Sequence, residues 1–132
     1  MSIESWKKEF YPVLADSACK TDLQALRHTL KKYHGLRPEN IKKHNLTHRY
    51  NVIRDSRDIF LFTGSSCALC RKYSSFCKSC PIRKSEGGSC SEKENGAYIK
   101  LMNDSDPEPM ILLMEKLIKK EIKKNKRKRA KK

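Results

Sequence analysis

Apolar residues recur with a helical period at both ends of this chain and with an extended pattern in its middle. Ile3, Trp6 and Phe10 follow one another at three and four, which predicts a short amphipathic helix stopped by Pro12. Thr21 with Gln24 three residues on is a capping-box pattern, and Leu23, Leu26, Leu30 and Tyr33 follow at helical spacing. Lys31, Lys32 and His34 then fill the last turn, where cations suit the helix dipole, and Gly35 supplies a stop. Pro38 suits a first helical position, so residues 37–44 are predicted as a second, short helix.

Tyr50, Val52 and Ile53, then Asp55-Ser-Arg-Asp58, then Ile59 to Phe62 predict two strands around a polar turn, a β-hairpin that delivers the chain to Cys67. Residues 67–90 are too poor in large apolar side chains to fold by burial. Asp104 to Asp106 predict the cap of a helix opening near Pro107, with Met110, Leu113, Met114, Leu117 and Ile122 along one face. Beyond Ile122 no apolar partner remains, so the helix is expected to fray into a disordered basic tail. The expectation is a small α+β fold with one metal-stapled domain over 1–118. It comprises N-terminal helices (1–48), a hairpin and Cys cluster (49–91) and the start of a C-terminal helix (107–118); residues 119–132 form the basic helix end and tail.

Composition narrows the function. With 132 residues, 37% of them hydrophobic and 34% charged, there is one domain's worth of chain and a modest core. No apolar run reaches the ~20 residues of a membrane span, and the first residues lack the apolar core of a signal peptide. The expected setting is therefore intracellular, where thiols stay reduced, with no membrane partner. Lys and Arg number 30 against 15 acids, a net +15. Two zones hold that charge: residues 119–132, with ten cations and one Glu, and residues 20–84, with fifteen cations and four acids.

Five of the six cysteines (Cys67, Cys70, Cys77, Cys80, Cys90) are spaced C-x2-C-x6-C-x2-C-P-x8-C. Each Cys-x-x-Cys turn brings two thiolates to one side of a tight loop, and two such turns can close a tetrahedral shell around one Zn²⁺. Five thiols exceed the four that are needed, and which four bind stays open. An iron–sulfur cluster is the lesser metal alternative, since Cys80-Pro81 is similar to ferredoxin-type ends. A disulfide-linked loop is the plain alternative. His44 and His48 have metal-pair spacing, but the favoured reading is polar residues at a helix end; Cys19 is expected in or near the core.

At Gly35-Leu-Arg-Pro-Glu-Asn-Ile-Lys-Lys-His44, with Cys67-Ala-Leu-Cys70, Cys77-Lys-Ser-Cys80-Pro81 and Cys90, the chain resembles a family of small bacteriophage-encoded proteins. An acidic-proline helix start like Asp106-Pro-Glu-Pro-Met110 belongs to the same pattern, whereas the basic tail departs from it. The resemblance covers most of residues 1–118. It implies a zinc-type site and a phage setting in the bacterial host cytoplasm, and it implies no chemistry.

The leading expectation is a zinc-binding, nucleic-acid-binding protein, with DNA or RNA undecided and without strong sequence specificity. Arg37, Lys42, Lys43, Arg49, Arg71 and Lys72 would contact phosphates, joined by Lys126, Arg127, Lys128 and Arg129 from the tail. Tyr73 and Phe76 would stack on bases or simply cover the metal loop. For the tail the bland alternative is solvation. The runner-up is an effector that binds and modulates a host protein, with Met110, Leu113, Met114 and Leu117 as its face and zinc purely structural. An enzyme is not expected: an all-thiolate cluster looks closed, and no P-loop, dinucleotide turn or serine elbow is present.

Overall fold

Ser2 opens the first helix through a reciprocal capping box: Ser5 N–H donates to Ser2 Oγ (3.2 Å) and Ser2 N–H to Ser5 Oγ (2.9 Å). That helix, α1 (Ile3–Phe10), buries Ile3, Trp6 and Phe10, the residues its periodicity singles out. The computed structural model describes residues 2–63, 66–73, 80–81 and 96–130, with backbone alone at 16 and 128–130. After α1 come a 3-10 turn (Ala15–Ser17), α2 (Asp22–His34), α3 (Pro38–Lys43), strands β1 (Thr47–Arg49), β2 (Val52–Arg54) and β3 (Ile59–Leu61), then α4 (Ala68–Lys72), α5 (Ala97–Asp104) and α6 (Glu108–Ala130). The class is α+β.

In α2, Thr21 Oγ1 accepts from Gln24 N–H at 3.1 Å, while Gln24 Oε1 reaches back to Lys20 N–H (3.1 Å). Gly35 ends the helix for a reason other than the expected one. Its φ is −62°, ordinary helical backbone. What demands glycine is space, because a Cβ there would lie 2.6 Å from Trp6 Nε1 and 2.8 Å from Phe10 Cγ. The indole N–H also donates to Gly35 O at 3.0 Å.

The expected hairpin is a three-stranded antiparallel sheet in the order β1-β2-β3. The added strand, β1, pairs Thr47 with Arg54 and Arg49 with Val52. Tyr50 therefore belongs to a two-residue turn rather than a strand, and its φ of 57° lies in the left-handed region. Alternation sends His48, Ile53 and Phe60 inward, and leaves Thr47, Arg49, Arg54, Ile59 and Leu61 exposed. At the β2–β3 turn, Asp55 Oδ1 accepts from Arg57 N–H (2.7 Å) and Asp58 N–H (2.6 Å), and its Oδ2 accepts from Ile3 N–H (2.8 Å), fastening the turn to the start of α1.

Trp6 is the centre of an aromatic core, with ring centroids 5.9, 5.1 and 5.7 Å from Phe10, Phe60 and Phe62. Tyr33 joins from α2, 5.3 Å from Phe62. The start of the cysteine segment belongs to this core too. Cys67, Ala68, Leu69 and Cys80 are all buried, because small side chains can fill a shallow layer under α2. Residues 97–104, unread in the sequence, form α5, which buries Ala97 and Leu101 and ends on left-handed Ser105.

Asp106 Oδ1 accepts from Glu108 N–H at 3.1 Å, as its position before Pro107 suggests. Along α6, Met110, Ile111, Met114 and Leu117 are buried and Leu113 only partly so. These residues face α2, the element α6 packs against most extensively. They are core rather than a surface for a host protein. The helix does not fray at Ile122 but continues to Ala130. Lys, Arg and Ala are good helix formers, and cations in the last turns complement the helix dipole.

Candidate nucleic-acid interface and metal centre

The basic residues named from the sequence fall into two groups. Three of them pair with carboxylates on other elements. Arg37 pairs with Glu108 through two contacts (2.9 and 3.4 Å), joining the start of α3 to the start of α6. Lys43 pairs with Glu9 at 2.9 Å, joining α3 to α1. Lys72 lies 3.6 Å from Asp22 and over the Tyr73 ring. The others point outward: Lys42, Arg49, Arg71, Lys126 and Arg127 are exposed. For Lys128 and Arg129 the backbone places them in the last turns of α6.

Arg49 lies on the outer face of the sheet with its guanidinium 5.1 Å from the Tyr50 ring centroid, at the edge of a groove of about 360 Å³ lined by Thr47, Tyr50, Val52 and Arg54. Sequence reasoning misses Arg54 because it abuts the polar turn; strand alternation puts it on the same face. Among the described residues neither arginine makes an ion pair with a carboxylate. The Tyr50 backbone is held in its left-handed conformation by an N–H bond to Ser105 Oγ (2.6 Å).

Two contacts set the direction of α6. At one end Arg37, just past α2, meets Glu108. At the other, Asp22 at the start of α2 accepts from the Tyr73 hydroxyl, which also feels the charge of Glu121. The two helices therefore run antiparallel. Residues 122–130 continue past Glu121, roughly 13 Å of helix at 1.5 Å per residue. That stretch carries Lys123, Lys124, Lys126, Arg127, Lys128 and Arg129 and no acid.

Of the clustered cysteines, Cys67, Cys70 and Cys80 are described; Cys77 and Cys90, and with them Phe76, lie outside the described residues. Cys67 and Cys70 are hydrogen-bonded to each other at the start of α4, the proximity a chelating half-site requires. Cys80 is buried close enough to Tyr73 to act on its hydroxyl, which burial, then Asp22, pushes well up. The bond to Cys70 and burial drive the Cys67 thiol well above the ordinary thiol range, and the charge of Lys32 opposes them. Among the described residues no group of three or more His, Cys, Asp or Glu converges in a way that could hold a metal. The described pair fits half of a thiolate shell.

Lys32 sits in the last turn of α2, where the sequence places a solvated cation, yet it is fully buried. Its ammonium donates to Ser66 O at 3.0 Å and sits 5.0 and 5.3 Å from the Tyr33 and Phe62 ring centroids. The face of α2 on which it lies points inward beneath the peptide that leads into Cys67.

His44 and His48 do not meet as a metal pair. His48 Nε2 bonds Tyr50 O (2.7 Å), and burial lowers its pKa against that bond. His44 is buried with Nδ1 2.9 Å from Ser5 Oγ and Nε2 2.7 Å from Glu9 Oε1. The order Ser–His–Glu has the outline of a nucleophile relay. Ser5 Oγ, however, also donates to Ser2 O at 2.9 Å and accepts from Ser2 N–H in the capping box. Its single hydrogen has a backbone acceptor in place, and the three side chains fasten α1 to the end of α3. The bond to His44, then that to Lys43, holds Glu9 below the usual carboxylate range.

No family model, curated protein or solved structure matches this chain. Nor is any helix among the described residues long and apolar enough to cross a membrane.

Proposed function

We propose that this protein is a zinc-stapled module that binds nucleic acid without catalysing a reaction, and that the basic end of α6 supplies most of its electrostatic grip. The observation that carries the reading is the last stretch of α6, residues 122–130, which holds six cations and no acid and buries none of its described side chains. Fixed cations at that density release counterions when they meet a phosphate backbone, whatever its sequence. One Zn²⁺ held by Cys67, Cys70 and two of Cys77, Cys80 and Cys90 would close the cysteine segment; its contribution is structural. The resemblance to bacteriophage proteins supports a phage-type role in the bacterial host cytoplasm.

The test is a salt titration of binding to a short DNA duplex, read by fluorescence anisotropy. The quadruple variant Lys126→Gln, Arg127→Gln, Lys128→Gln, Arg129→Gln should flatten the slope of log K against log salt by up to about 3–4, near 0.9 for each phosphate that is no longer neutralised. An unaltered slope removes the helix end from the interface.

A further inference from the structure

We infer that the outer face of the three-stranded sheet is a reading surface for duplex DNA, entering the major groove with Arg49 and Arg54 directed at base edges. The inference rests on the nucleic-acid reading above and adds to it a sequence preference that the helix end cannot provide.

Composition is the first argument. The face presents Thr47, Arg49, Val52, Arg54, Ile59 and Leu61, two arginines and no acid. A surface that only holds phosphates has no need of aliphatic groups, yet Ile59 is 57% and Leu61 45% exposed here. Base edges in the major groove ask for this mixture: Arg donates two hydrogen bonds to guanine O6 and N7, and a β-branched or aliphatic side chain packs on the thymine methyl.

Shape is the second. The two arginines lie on the β1–β2 pair, and a two-stranded ribbon, its strands about 4.8 Å apart, fits a major groove about 12 Å wide and not a minor groove of about 6 Å. The deep, narrow major groove of A-form RNA excludes such a sheet. Single strands are normally held by aromatic platforms, and among the described residues the aromatic ring at this face is Tyr50, at the tip rather than in the middle.

The third argument is preparation. Arg49 lies over the Tyr50 ring with Nη2 3.4 Å from its hydroxyl, so the guanidinium is oriented before any partner arrives. The Tyr50 backbone is itself in a conformation that bulky residues avoid, and Ser105 holds it there. A solvent-exposed turn has no structural use for a tyrosine at that φ; a turn that must set a ring beneath an arginine does.

The experiment is selection of duplexes from a random-sequence library by the full chain. Anisotropy then compares the selected duplex with a scrambled duplex, the matching single strand and the RNA duplex, all at one salt concentration. The selected duplex should bind roughly tenfold or more tighter than the scrambled one. The pair Arg49→Met, Arg54→Met should bring that ratio close to one, weakening the selected duplex more than the scrambled one, and its melting curve, followed by Trp6 fluorescence, should match that of the parent. A preference that survives both substitutions overturns the inference, as does tighter binding of the single strand or RNA. So does sedimentation showing that Leu61→Lys dissociates a dimer, which would make the face a contact between two copies. If every duplex binds equally and only the helix-end variant weakens binding, the inference fails and the nucleic-acid reading stands. If no nucleic acid binds even at low salt, both fall.

Discussion

The pole of the molecule built from α1, β2 and β3 buries Trp6 among Phe10, Phe60 and Phe62, whereas the pole at α4 buries small side chains, two thiols and the ammonium of Lys32. The first is sealed by area. An aromatic side chain removes about 150–250 Å² from water, so a few of them suffice for a small domain. The second buries no Trp or Phe among its described residues, and there the zinc proposed above would add directional bonds. Lys32 is the joint between the two, since its ammonium faces the Tyr33 and Phe62 rings while it bonds the Ser66 carbonyl next to Cys67. On the zinc-stapled reading proposed above, the core is half hydrophobic and half coordinative, and each half should fail to a different insult.

The largest expected effect lies at the thiol pole. Metal affinity in such sites is folding energy, so the pair Cys67→Ser, Cys70→Ser should cost most of the fold. Elemental analysis should give about one colourless zinc per chain, and chelation should expose thiols to titration before the fluorescence of Trp6, the single tryptophan, changes. A double-serine variant with an unchanged melting curve would abolish the contrast between the poles, and a brown, iron-containing protein would redirect it to redox chemistry.

Next comes the aromatic pole. Gly35→Ala places a Cβ 2.6 Å from the indole nitrogen, and overpacking of this kind costs about 1–3 kcal/mol. The melting temperature should fall and Trp6 emission should shift, with zinc content unaltered. If the variant melts like the parent, the close approach of Gly35 and Trp6 is not a constraint on the core.

The smallest effect is at the seam between the sheet and α1. The bonds from Ile3, Asp58 and Arg57 N–H hold the Asp55 carboxyl below the usual range. A lowered folded-state pKa means that its contribution is complete above the unfolded value, near about 3.9, and is lost as pH falls through the lower one. Asp55→Asn should therefore be less stable than the parent at neutral pH, and the difference should shrink below about pH 4. Parallel acid limbs in melting experiments would show that the carboxylate does not tie the turn to α1.

Legible in the sequence is whatever local chemistry marks. Thr21 and Gln24 announce the start of α2, Pro38 that of α3 and Asp106 that of α6, because caps act through neighbours within four residues. The strand β1 is invisible, since Thr47-His-Arg49 has no apolar alternation until β2 pairs with it. Lys32 reads as solvated because lysine almost always is, and only the packing of α2 over α4 turns that position inward. The spacing of the Cys-x-x-Cys turn foretells the meeting of Cys67 and Cys70. The division of cations into pinned and exposed cannot be foretold, because Glu108 is 71 positions from Arg37 and Glu9 is 34 from Lys43.

The antiparallel contact between α2 and α6 also sets an order of events. Helix α2 is synthesised with its inward face complete, but the methionines and isoleucine that cover it arrive more than 70 residues later. Closing so long a loop is slow, and until it closes the part of α2 that α6 covers stays open. The thiol segment lies between the two helices in the chain. A metal that gathers it early would shorten the search by drawing the intervening chain into a smaller loop, so the availability of zinc should govern how fast this protein folds as well as how firmly it stays folded.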